Sequence, residues 1–176
     1  MSHVEHKPAG RMDVYNNRWA VSGDKTEHPS PLLNVLSGVV TSRTKGLTRT
    51  TLRIRVGEGT VLRIRRQAPS PMADTIEIGQ TVQVTIPSKA VQLEAGWFRR
   101  GKQRWNRWIG RVVLVNRNNG DLITSVKIHR DSITLHSVAP VSGAAFLTPW
   151  DTVNIVVDPH QVGVVPVSRQ SQSYVE

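Results

Sequence analysis

The sequence predicts an all-β protein of two small tandem β-barrels, and three observations carry that prediction: an internal duplication, a hydrophobic period of two, and the lack of any helical apolar stripe. The duplication runs from about Asn34 to Leu93 and again from Asn106 to Val164. Asn34-Val35-Leu36-Ser37-Gly38-Val39-Val40 opens the first copy, and Asn106-Arg107-Trp108-Ile109-Gly110-Arg111-Val112 opens the second with Asn, a large apolar residue, Gly and Val at the same offsets. The closing segments match without a gap, Gln80-Thr81-Val82-Gln83-Val84-Thr85-Ile86 against Asp151-Thr152-Val153-Asn154-Ile155-Val156-Val157, each followed by one Pro and a Val at matching positions, Val91 and Val162. A repeat of this length is one supersecondary unit that pairs with its twin.

Inside each copy the alternation fixes a hairpin. Thr51-Leu52-Arg53-Ile54-Arg55-Val56 and Thr60-Val61-Leu62-Arg63-Ile64-Arg65 alternate apolar with basic residues around Gly57-Glu58-Gly59. A three-residue loop sets Val56 against Thr60, Ile54 against Leu62 and Leu52 against Ile64, whereas a loop one residue longer sets apolar side chains against Arg. The shorter loop is therefore expected. Val126-Lys127-Ile128-His129 and Ser132-Ile133-Thr134-Leu135 repeat the arrangement around Arg130-Asp131, with Ile128 opposite Ile133 and Val126 opposite Leu135. Val82, Val84 and Ile86, like Val153, Ile155 and Val157, supply a later strand, and short strands with Gly-bearing turns make small barrels.

The segments outside the copies differ in character. Residues 1–30 mix Gly, Pro, Asn, His and charges with neither period and read as a flexible N-terminal arm, and 168–176 as a flexible tail. The first barrel is expected over 31–95 and the second over 106–167, with a basic, Trp-rich linker over 96–105. Twenty-three Lys and Arg against thirteen Asp and Glu leave a net charge of +10, which calls for an anionic partner: a small anion, a nucleic acid or an acidic protein surface. With no cysteine, a disulfide framework and a thiolate metal site are both excluded. No apolar run reaches the length of a membrane span and the opening residues lack the apolar stretch of a secretory signal, so a soluble cytoplasmic protein is expected.

The opening Asn-x-apolar-x-Gly-x-Val, the twisted hairpin and the run Gly79-Gln80-Thr81-Val82-Gln83-Val84-Thr85-Ile86-Pro87-Ser88-Lys89-Ala90-Val91-Gln92-Leu93 together resemble the transport-associated OB domain, TOBE, which ends the ATPase subunits of many bacterial ABC importers and, in its molybdate-binding form, makes up the molbindins. The resemblance implies paired OB-like five-stranded barrels, and an oxyanion of the molybdate, tungstate or sulfate class bound at the seams between them. The molbindin opening Ser-Ala-Arg-Asn-x-Leu-x-Gly is represented by Pro31-Leu32-Leu33-Asn34-Val35-Leu36-Ser37-Gly38, which keeps the Asn, Leu and Gly; the second copy keeps Asn106 and Gly110. Ser70, nine residues before Gly79, matches the family's ligand Ser, and Lys89 lies in the closing run. An accessory or regulatory role beside ABC transporter subunits, and a homo-oligomer, most simply a dimer, are further implications.

The residues point to two anion-binding features of their own. On the first hairpin Arg53, Arg55, Arg63 and Arg65 share the outward face, with Arg53 directly opposite Arg63. Facing like charges are unfavourable in a sheet unless an anion, an acidic neighbour or exposure to salt offsets them. A planar guanidinium meets an oxyanion bidentately, so these four, with Asn34, Asn106, Ser70 and Lys89, are the candidate oxyanion ligands. The second feature is the linker, where residues 97–108 hold three Trp, one Phe and five Arg or Lys with no acid. Trp97, Phe98, Arg99, Arg100, Lys102, Arg104 and Trp105 are the alternative, nucleic-acid-binding set, because aromatic faces stack on bases while cations follow phosphates. Trp108, in the slot of Leu36, is assigned to the core.

No chemistry beyond binding is expected. The chain contains no Gly-x-x-x-x-Gly-Lys-Ser/Thr phosphate loop, no His-Glu-x-x-His motif and no Gly-x-Ser-x-Gly elbow. His129 and His136 read as surface histidines rather than metal ligands, so neither enzyme activity nor a metal or other cofactor is expected. Three classes of function therefore compete: a transport-associated oxyanion-binding di-barrel, an OB-fold single-stranded nucleic-acid-binding protein, and a structural subunit docking on an acidic partner.

Overall fold

The computed structural model describes residues 32–95, 105–141 and 147–167. The expected arm over 1–30, the tail over 168–176 and the linker residues Trp97, Phe98, Arg99, Arg100, Lys102 and Arg104 lie outside the described residues.

The described residues are nearly all β, with ten strands in two five-stranded sheets. The first copy contributes β1 (Leu33–Lys45), β2 (Arg49–Arg55), β3 (Val61–Gln67), β4 (Thr81–Pro87) and β5 (Val91–Ala95). The second contributes β6 (Asn106–Asn118), β7 (Asp121–Ile128), β8 (Thr134–Pro140), β9 (Thr152–Val157) and β10 (Gly163–Pro166). The sheets are ordered β10-β4-β1-β2-β3 and β5-β9-β6-β7-β8. Each copy therefore gives its last strand to the other's sheet. β5 pairs with β9, matching Val91 with Val157, and β10 pairs with β4, matching Val164 with Val84. The point at which the sequence repeat turns over is thus bridged twice by sheet hydrogen bonds.

The hairpins have the registers expected from hydrophobic phase. Leu52 faces Ile64, Ile54 faces Leu62 and Arg53 faces Arg63, while Val56 N donates to Thr60 O at 3.0 Å to close the loop over residues 57–59. In the second copy Val126 faces Leu135, and Ile128 N donates to Ile133 O at 2.9 Å. The inward residues are the core: Leu52, Ile54, Leu62, Ile64, Val82, Val84 and Ile86 on one side, Val112, Val126, Leu135, Val153, Ile155 and Val157 on the other, all essentially inaccessible. Leu36 and Trp108, at the same slot of the two copies, both pack partly buried against it.

The shared Gly of the opening motif has a steric reason. β1 and β6 are the central strands, each with a bulge at the same place, between Val40 and Ser42 and between Val112 and Leu114. A Cβ on Gly38 would come within 2.6 Å of Ile54 Cγ2 and 2.8 Å of Arg55 O, and one on Gly110 within 2.5 Å of Val126 Cγ1. Bulge and close approach together bend the long strand so that one sheet can curl around its core.

A short helix, α1 (Pro71–Thr75), departs from the all-β expectation locally. Its signal is present in Ser70-Pro71: the Ser70 side chain accepts from Ala73 N, and proline suits the first helical position. Arg43 secures the far end by donating to Asp74 O at 3.1 Å and Ile76 O at 2.9 Å.

Candidate functional site

The two copies meet along seams built by their opening asparagines. Asn106 accepts from Arg63 N at 2.7 Å and donates to Arg63 O at 2.8 Å. Asn34 accepts from His136 N at 2.6 Å and donates to His136 O at 3.0 Å, to Ile86 O at 3.1 Å and to Ser88 Oγ at 3.5 Å. Arg63 and His136 are themselves equivalent, being the partners of Arg53 and Ser125 in matching ladders. Each asparagine thus caps the outer edge of the other copy's last hairpin strand, β3 or β8, and both are buried, at 4% and 5% exposure. Their first task is to hold the seam, which uses the amide hydrogens of Asn34 that a ligand would need.

What surrounds these clamps differs between the seams. Around Asn106 lies a cavity of about 330 Å³ lined by Arg53, Val61, Arg63, Trp105, Asn106 and Arg107. The corresponding residues around Asn34 are Ser125 for Arg53, Thr134 for Val61, His136 for Arg63, Leu33 for Trp105 and Val35 for Arg107. There Ser125 Oγ and His136 Nδ1 sit 3.0 Å apart. One seam therefore gathers three guanidinium groups and an indole, and its twin an imidazole, two hydroxyls and two aliphatic side chains. Arg107 is half-buried, its side chain 15% accessible, and lies 3.8 Å from Glu94 on β5, across the intervening β9.

One solved structure with this fold is a crystal form of the cytoplasmic molybdate-binding protein ModG with molybdate bound, similar with a TM-score of 0.66 at 17% identity, covering 76% of this chain and 96% of that one. No protein-family model and no curated protein matches the chain. The likeness shows the fold, two tandem OB-like units.

Of the candidate oxyanion ligands, the structure brings Arg53, Arg63 and Asn106 to one cavity. Trp105, from the alternative set, stands in its wall. The others lie elsewhere. Arg55 faces Val61 across the hairpin and is exposed, Lys89 is exposed on a 3-10 turn over Ser88–Ala90, and Ser70 caps α1. Arg65 lies toward the far end of β3, where its N donates to Pro159 O at 3.0 Å. Beside it Arg66 donates to His160 O at 3.0 Å and to Val162 O, tying β3 to the segment that delivers β10.

Sequence reasoning missed Arg107 as a site residue, because it looked like one cation among five in the linker. Its signal was positional: it follows the seam asparagine, where the first copy has Val35. Among the described residues no group of three or more His, Asp or Glu is placed to hold a metal ion, and no helix is long and apolar enough to cross a membrane.

Proposed function

We propose that this protein is a non-enzymatic binding protein for a small tetrahedral oxyanion of the molybdate, tungstate or sulfate class, held at the Asn106 seam. The observation that carries the reading is the convergence of Arg53, Arg63 and Arg107 on one cavity of about 330 Å³, where the equivalent seam has Ser125, His136 and Val35. Arg53 and Arg63 are direct neighbours across β2 and β3, a costly placement that a bound dianion offsets. Guanidinium forks supply paired N–H donors to an oxyanion, and the partly enclosed wall strengthens each charge-assisted bond relative to open water. The similarity to a molybdate-binding protein supports the ligand class. In this reading the chain stores or hands on the anion as an accessory of an ABC importer, and the ATPase motor is a separate subunit.

A thermal-shift titration tests the reading, with molybdate, tungstate, sulfate and phosphate compared at two salt concentrations. Ligand that binds only the folded state raises the melting temperature by mass action, adding about 2.7 kcal/mol of stability at one hundred times Kd. The expected result is saturable stabilisation by one oxyanion that survives added salt and is lost in the double variant Arg53→Gln, Arg63→Gln. A double variant that responds as fully as the parent protein rejects this seam as the site.

A further inference from the structure

The turns that lead into β4 and β9 are equivalent bond for bond. In the first, Gly79 N donates to Val40 O at 2.8 Å, Gln80 N to Glu77 O at 3.2 Å, and Glu77 N to Gln80 Oε1 at 3.0 Å. In the second, Trp150 N donates to Val112 O at 2.8 Å, Asp151 N to Thr148 O at 3.2 Å, and Thr148 N to Asp151 Oδ2 at 2.8 Å. Both turns need a left-handed residue at the same place, with φ 86° at Gly79 and φ 78° at Trp150. Glycine is the natural occupant, whereas a bulky side chain there is strained by roughly 1–2 kcal/mol. Trp150 is also 77% exposed, so packing does not repay the strain.

Trp150 stands in the wall of a concavity of about 740 Å³, the size of a small-ligand pocket, whose lining includes the cations Arg111, Lys127 and Arg130 and the carboxylates Glu58 and Asp131. Arg111 and Lys127 are directly paired across β6 and β7, a second facing pair of like charges, and the first copy has Val39 and Arg55 at these places. Strain retained on an exposed aromatic side chain beside a facing Arg–Lys pair indicates a role in binding. A tetrahedral oxyanion has no use for the ring. A nucleobase does, because its face stacks on indole while its phosphate meets Arg111 and Lys127, and the Glu58 carboxylate can accept from an exocyclic amine.

We propose that the concavity beside Trp150 is a nucleotide-binding site, separate from the oxyanion seam, in which the base stacks on Trp150 and the phosphate is held by Arg111 and Lys127. The shared chemistry has two sources, a free mononucleotide and a nucleotide unit within a single strand. The experiment is fluorescence anisotropy with a labelled fifteen-residue oligodeoxyadenylate and a labelled adenosine monophosphate, each at two salt concentrations, on the full chain and on two variants. Trp150→Gly installs the residue that the sister turn already uses, so it keeps the fold. Arg111→Gln with Lys127→Gln removes the phosphate contacts. Binding is expected to weaken by about 5- to 150-fold in Trp150→Gly, the equivalent of roughly 1–3 kcal/mol of stacking. The double Gln variant is expected to weaken binding and lower its salt dependence. Binding of the monophosphate identifies a mononucleotide site, and binding of the oligonucleotide alone identifies a strand. Failure of both probes to bind at low salt, or binding that is unchanged in Trp150→Gly, overturns the proposal. Because the seam residues are untouched, oxyanion-induced stabilisation of Trp150→Gly reports on the other site independently.

Discussion

Asn106 and Arg63 exchange two hydrogen bonds, the amide oxygen accepting from Arg63 N at 2.7 Å and the amide nitrogen donating to Arg63 O at 2.8 Å. This is how a strand bonds to its neighbour, performed by a side chain on the β3 edge, beyond which the described residues place no further strand. Because Asn34 does the same for His136, the arginine-lined seam and its twin share this exchange and differ in the side chains around it.

The clamp sets an expected stability loss. Asn106→Ala leaves the Arg63 N–H and C=O without their partner, at about 1–3 kcal/mol for each buried group left unsatisfied. We expect Asn106→Ala and Asn34→Ala each to lower unfolding free energy by roughly 2–3 kcal/mol in urea titrations. Asn106→Asp keeps an acceptor for Arg63 N but sets an oxygen against Arg63 O, so it should not rescue. A loss below about 0.5 kcal/mol in both Ala variants would show that the seam is held by other contacts.

Arg53 and Arg63 give the opposite sign in the empty protein. Facing like charges cost about 0.2–1 kcal/mol, so replacing both with Gln should preserve or slightly raise the melting temperature while abolishing the response to oxyanion. A marked drop in the ligand-free melting temperature at low salt would mean that the two guanidiniums are structural rather than held ready for an anion.

Much of this was legible in the sequence, and for a physical reason. Period-two alternation around Gly57-Glu58-Gly59 admits one register that buries Leu52, Ile54, Leu62 and Ile64 together, so phase alone placed Arg53 opposite Arg63. The strand exchange was not legible. β5 and β10 are short apolar segments from homologous copies, so each fits either sheet, and the choice depends on chain paths that no local pattern encodes. Arg107 entered the site through a different long-range contact, since the Asn106 clamp on β3 carries its neighbour there. Trp150 was readable in principle: the gapless match of Gln80 with Asp151 sets it against Gly79, and an aromatic residue in a glycine slot is a conflict between local preference and fold.

Asp131 links the two hairpin tips and makes stability depend on pH. Its Oδ1 accepts from Ser132 N at 2.8 Å; the Thr60 hydroxyl does most to hold the carboxylate below its ordinary range, desolvation opposes it, and the amides of Ser132, Gly59 and Thr60 add to the lowering. A folded pKa below the unfolded value of about 3.9 means that the contribution is complete above that pH and is lost as pH falls through the folded pKa. Asp131→Asn should therefore destabilise the protein at pH 7, with the difference from the parent shrinking toward pH 3. Equal differences in urea midpoint at the two pH values would remove Asp131 from the account.

The paired turns allow the strain on Trp150 to be measured against its own control. Nothing lies within 4 Å of a Cβ built on Gly79, so Gly79→Ala probes backbone preference without a clash. It should cost about 1 kcal/mol, since alanine resists the left-handed conformation there. Trp150→Gly runs the substitution in reverse: relief of about 1–2 kcal/mol of strain is opposed by roughly 0.5–1 kcal/mol of added freedom in the unfolded chain. The net expectation is an unchanged or higher melting temperature by differential scanning calorimetry, so the tryptophan is kept at the expense of stability. A melting temperature several degrees lower in Trp150→Gly would show that the indole supports the fold, and its position would then need no ligand to explain it.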